Sequence, residues 1–154
     1  MVNKMSKRIL TLDGTTLTSS EVVEVATHFS QVKIAEESMI RVRNARAVVD
    51  RILEDKEIVY GINTGFGSLV NTQINSEELE TLQLNLIRSH ATGLGELMSI
   101  EEVRAMMCVR INSLVKGNSG CHPDVIHQLV TFLNMGIHPI VPRIGSLGAS
   151  GDLY

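Results

Sequence analysis

Ala149-Ser150-Gly151 is a tripeptide that can turn its own backbone into an electrophile. The Gly151 nitrogen would attack the Ala149 carbonyl carbon. Loss of water closes a five-membered ring, and loss of the Ser150 hydroxyl as a second water leaves an exocyclic alkene. Each residue type has a reason: Gly151 presents no side chain to obstruct attack, Ser150 carries a β-hydroxyl that can leave, and Ala149 fits a tight turn. By itself the tripeptide reads as an ordinary Ser/Gly turn. Three other groups of residues could bear chemistry. Tyr60 precedes the glycine-rich run Gly61-Ile62-Asn63-Thr64-Gly65-Phe66-Gly67. This run lacks the Gly-Lys-Ser/Thr ending of a phosphate loop and the spacing of a dinucleotide fingerprint, so it reads as a turn. His90 closes an apolar helical stretch, either as a cation favoured at a helix C-terminus or as a polar group aimed into a pocket. Cys108, Cys121, His122, His127 and His138 match no zinc spacing, so no metal is expected.

The elements that must position these residues are mostly helical. The chain has 154 residues, 44% hydrophobic but only 3% aromatic, with no Trp. Ala, Leu, Ile, Val and Met must fill a core of packed helices. A net charge of -3 argues against nucleic acid or an anionic membrane as partner. Two cysteines build no disulfide framework, and the basic Met1–Arg8 stretch is followed by too short an apolar run for a signal peptide. A cytoplasmic protein is expected.

Ile9–Leu12 reads as a strand and Asp13-Gly14 as its turn. Thr18-Ser19-Ser20-Glu21 has the form of a capping box, placing a helix start near Ser20. Ile34, Val42, Ala45, Val49, Ile52 and Leu53 recur at helical spacing and predict a helix from about Lys33 to Asp55. Asn75-Ser76-Glu77-Glu78 opens another helix. It is apolar on several sides and is expected to be buried between partners. Ser99-Ile100-Glu101-Glu102 opens a helix to Lys116, ended by Gly117. Pro123 begins a last one, striped by Ile126, Leu129, Val130 and Leu133 and stopped by Gly136. Pro139 and Pro142 keep the following chain extended. Gly145-Ser146-Leu147-Gly148 reads as a loop. The chain then ends on a glycine-rich segment rather than a completed element, which predicts the first part of a longer protein.

Tyr60 to Gly67, then Leu84-Asn85-Leu86-Ile87-Arg88-Ser89-His90, then Gly145 to Leu153 occur in a fixed order. In these motifs, and from Leu12-Asp13-Gly14 onward, the chain resembles the aromatic amino acid ammonia-lyase and aminomutase family. Ser89-His90-Ala91 looks most like its histidine ammonia-lyases. The resemblance implies an N-terminal helical domain, residues 1–154, with short strands and glycine-rich active-site loops. It would stop before the family's long central helical bundle, just after the Ala-Ser-Gly motif, with no second domain. It implies that Ala149-Ser150-Gly151 cyclises to 4-methylidene-imidazol-5-one, an electron sink needing no external cofactor. Tyr60 would be the base for the substrate's β-proton, and His90 a contact to its side chain. Asn63 would be a further substrate-binding or supporting residue, Asp152 a supporting one, and Gly61 and Gly65 would let the loop act as a lid.

The parent would then eliminate ammonia from L-histidine to give trans-urocanate, as a homotetramer acting on a free amino acid. A tyrosine ammonia-lyase or aminomutase is the alternative, since a phenol also offers His90 a polar atom. A non-catalytic helical interaction module is a second alternative. The family's remaining site residues lie beyond residue 154, so this chain alone is expected to be inactive, its tripeptide uncyclised. Tyr154 stands where the histidine enzymes commonly have alanine.

Overall fold

The computed structural model describes residues 9–55, 57–60, 62–64 and 76–145, with the backbone alone for 76–80. The chain is mainly α. Its elements are β1 (Ile9–Leu12), α1 (Ser19–Thr27), β2 (Gln31–Ile34), α2 (Glu36–Glu54), α3 (Ser76–His90), β3 (Leu94–Leu97), α4 (Ile100–Leu114), α5 (Pro123–Met135) and β4 (Pro142–Ile144). They divide into two compact units: Met1–Val48 with Met98–Ile140, and Val49–Leu97 with Val141–Tyr154.

In the first unit, both capping boxes form as the sequence predicts. Thr18 accepts from the Glu21 amide and Ser99 from the Glu102 amide, each with the reciprocal glutamate bond. Pro123 sits in the first turn of α5, and Gly136 ends it in the left-handed region. Two boundaries differ from expectation. The helix predicted from Lys33 begins only at Glu36, because Gln31–Ile34 pairs in parallel with β1. Polar Gln31 and Lys33 alternate there with Val32 and Ile34, and Val32 is buried. The Asn134 side chain takes the place of a third strand. It accepts from the Val32 amide at 2.8 Å and donates to the Val32 carbonyl at 2.8 Å. The helix α4 stops at Leu114 instead of Lys116. Gly117 turns with φ +80°, and a Cβ there would lie 2.7 Å from the Arg41 Cβ, so only glycine lets the chain pass.

The core of this unit gathers Leu10, Leu12, Val25, Val32, Val42, Met107, Cys108, Ile111, Ile126 and Leu133. Arg104 of α4 lies among them, 1% exposed. Its Nε donates to the Val25 carbonyl at 3.0 Å, and its Nη1 to the Leu133 carbonyl at 2.8 Å and to His138 Nε2 at 3.0 Å. Val25 and Leu133 lie in the last turns of α1 and α5, so two negative helix ends converge on one cation. Phe29, held at φ 55°, covers the guanidinium with its ring centroid 4.2 Å from Cζ. A non-glycine residue in that region costs about 1–2 kcal/mol, which the cation–π contact offsets.

Arg104→Ala is expected to cost about 3 kcal/mol or more in urea unfolding, since it orphans two carbonyls and empties the centre of the core. His138 can accept from Arg104 only while Nε2 is bare. Burial, then the Arg104 charge, hold its pKa below the ordinary value. The unfolded state therefore binds the proton more readily, and stability should fall as pH drops below about 6.5. Unfolding curves at successive pH values check this, and in His138→Asn that part of the slope should vanish.

Candidate active site

Tyr60, Asn63 and His90 all belong to the second unit. Ala149, Ser150, Gly151, Asp152, Gly61 and Gly65 lie outside the described residues. Tyr60 is 61% exposed on a turn closed by the Ile62 amide donating to the Val59 carbonyl at 3.1 Å. Asn63 holds that turn from below and is 4% exposed. Its Oδ1 accepts from the Val59 amide at 3.0 Å and its Nδ2 donates to the Glu57 carbonyl at 2.6 Å. Both ends of its amide are thus spent on the backbone flanking Tyr60, a bracing role that the residue type alone did not reveal.

His90 is the last residue of α3, with Nδ1 2.8 Å from the Leu86 carbonyl oxygen and 2.9 Å from Ser89 Oγ. Leu86 and Ser89 carry no functional signal as residue types. The four-residue step from Leu86 to His90, one helical turn, is the signal that could have found the first. The helix itself is more open than its apolar faces suggest. Leu84 and Ile87 are exposed, Leu82 and Leu86 half-buried, and no described side chain of α3 is buried.

Four residues after His90, β3 begins, and it pairs antiparallel with β4 through Leu94↔Ile144 and Leu97↔Pro142. This pairing joins the chain leaving His90 to the strand that precedes the Ala-Ser-Gly motif in sequence. The ladder is irregular between its two pairs. Gly95 sits there at φ +83°, where a Cβ would press on Ile144 Cδ1 at 3.1 Å.

The other candidate ligands have different occupations. His122 caps α5 by accepting from the Asp124 amide at 3.3 Å, and His138 serves Arg104. The buried Cys108 thiol is pushed up to about 11, chiefly by desolvation, which keeps it protonated. Among the described residues no group of three or more His, Cys, Asp or Glu is arranged to hold a metal ion. Nor is any described helix long and apolar enough to cross a membrane.

Asn63→Ala should free the Val59 amide and speed its hydrogen exchange by about tenfold or more, the loss of about 1–3 kcal/mol of local stability. Unchanged protection at Val59 would contradict the bracing role. Gly95→Ala should cost about 1–2 kcal/mol through its positive φ and loosen the β3–β4 pair, read as faster exchange at Leu94 and Ile144.

Residues 17–154 match the aromatic amino acid lyase family. Over 145 residues, 94% of this chain, the sequence is 48% identical to a histidine ammonia-lyase of Bacillus subtilis, of which it covers 28%. In structure it is similar to the ergothioneine-degrading enzyme ergothionase of Treponema denticola, with a TM-score of 0.86 and 32% identity, covering 90% of this chain and 28% of that one. It is also similar to a tyrosine aminomutase of Streptomyces globisporus, with a TM-score of 0.85 and 36% identity, covering 90% and 26%. The chain thus spans little more than a quarter of the length of these relatives. A match across nearly its whole length places this chain in the aromatic amino acid lyase family.

Proposed function

We propose that this chain is the N-terminal portion of a histidine ammonia-lyase, whose parent eliminates ammonia from L-histidine to give trans-urocanate. The observation that carries the reading is identity of 45–50% over 94% of the chain to histidine ammonia-lyases from several bacteria. The polar ring of His90, fixed at the end of α3, supports it. A histidine side chain offers that ring a hydrogen-bonding partner. A phenylalanine substrate would leave it unsatisfied, at about 1–3 kcal/mol.

In this reading Tyr60 removes the substrate's β-proton from an exposed turn that Asn63 holds in shape. Gly61 and Gly65 give the same loop the freedom of a lid, and Asp152 supports the tripeptide beside it. Ala149, Ser150 and Gly151 have the composition that a methylidene-imidazolone requires. That group, when formed, supplies an electron-poor alkene that activates the amine as a leaving group. Residues 1–154 serve as the N-terminal domain of a cytoplasmic homotetramer, and without the remaining length they neither cyclise nor turn over substrate. A tyrosine aminomutase is the second reading. The Streptomyces structure favours it at 36% identity, and a phenol could also meet His90.

The intact mass of the longer protein should fall two waters below its encoded mass, and Ser150→Ala should remove that deficit and abolish activity. Unmodified mass in active protein would sink the cyclisation. Conjugated product should appear from histidine and not from tyrosine or phenylalanine, and preference for tyrosine would move the assignment to the second reading. Tyr60→Phe should lower kcat by about 10²- to 10⁴-fold. Turnover by the 154-residue chain alone would overturn its expected inactivity.

A further inference from the structure

The His90 ring folds back on its own helix. Nδ1 lies 2.8 Å from the Leu86 carbonyl oxygen and 2.9 Å from Ser89 Oγ. Ser89 Oγ is itself 2.8 Å from that carbonyl and donates to it. A carbonyl oxygen only accepts, so a ring nitrogen at that distance must carry hydrogen. A bare Nδ1 would set two lone pairs against each other. The single Ser89 hydroxyl hydrogen is spent on Leu86, so the serine too presents Nδ1 with a lone pair. Both neighbours demand an N–H at Nδ1. A neutral imidazole has only one N–H, so Nε2 is left as an acceptor.

We infer that the last turn of α3 locks neutral His90 as the Nδ1–H tautomer, which makes it a one-way reader: it accepts, and whatever meets Nε2 must donate. The inference rests on the proposed reading in which His90 contacts the substrate ring. It narrows the substrate class to amino acids whose side chain carries a hydrogen-bond donor toward His90, a ring N–H or a phenol O–H. It also sets the substrate's own tautomer, because a histidine ring must turn its protonated nitrogen to His90. Leu86 and Ser89 are positioning residues that act through His90. Substrate rings whose facing nitrogen bears a methyl group are disfavoured.

Nitrogen-15 labelling of the histidines tests the lock directly. Of five histidines, His90 is identified by the signals missing in His90→Gln. Two-bond proton–nitrogen correlations at about pH 8, above the usual histidine range, should give a pyrrole-type shift at Nδ1 and a pyridine-type shift at Nε2. The reverse pattern would overturn the lock. In the longer enzyme, kcat/KM is compared for histidine and its two ring-N-methyl isomers. One isomer should lose about 10- to 100-fold, and His90→Ala should erase that difference. A penalty that survives in His90→Ala is a steric effect elsewhere and counts against the inference. A confirmed lock with both isomers used equally would instead remove His90 as the ring contact, and with it that part of the proposed function.

Discussion

A guanidinium cannot shed its charge inside a protein, so Arg104 dictates what its neighbours must be. Burying it without a carboxylate leaves partial charges to do the work. The structure supplies them from the ends of α1 and α5, from an imidazole lone pair and from the face of Phe29. Each guanidinium N–H donates in a fixed direction, which sets where the accepting ends of α1 and α5 may lie relative to α4. Apolar packing alone would tolerate sliding of these helices, whereas the guanidinium fork tolerates little. The strained backbone of Phe29 is part of the same arrangement, since its dihedral brings the ring over the cation.

The two units are built on different principles. The first closes around a dense apolar core. The second, in its described part, relies on local bonds between side chains and backbone: Asn63 to Glu57 and Val59, His90 and Ser89 to Leu86, and a short irregular strand pair at β3 and β4. Residues proposed to do chemistry sit on the second kind of scaffold. Binding and catalytic groups commonly occupy such thinly packed segments, where small movements are inexpensive.

Much of the scaffold was legible from local chemistry. The capping boxes at Thr18 and Ser99, proline at the start of α5 and glycine at its end act within a few residues, so their types suffice. β2 was hidden because Ile34 also fits the helical period of α2, and its strand partner and Asn134 are remote in sequence. The irregular pair of β3 and β4 was hidden for the same reason, with 44 residues (98–141) between its strands. At the site, Tyr60, Asn63 and His90 were visible as types within motifs. What holds them was not: Leu86 acts through a backbone carbonyl that any residue possesses, and the bracing by Asn63 depends on a turn that only the fold displays. Arg104 was missed because charged residues are rarely buried, and its partners come from two stretches remote from it in sequence, 25–29 and 133–138.

The bidentate embrace of Val32 by Asn134 spans 102 residues. A ribosome adding about 5–20 residues each second needs about 5–20 s to cover that distance. Throughout that interval β1 and β2 have emerged, yet the amide that closes their outer edge does not exist. The strand edge can pair with anything extended that it meets, including the same segment on a neighbouring nascent chain. A polar asparagine 102 residues downstream of Val32 therefore sets how long the β1–β2 edge must be shielded during synthesis.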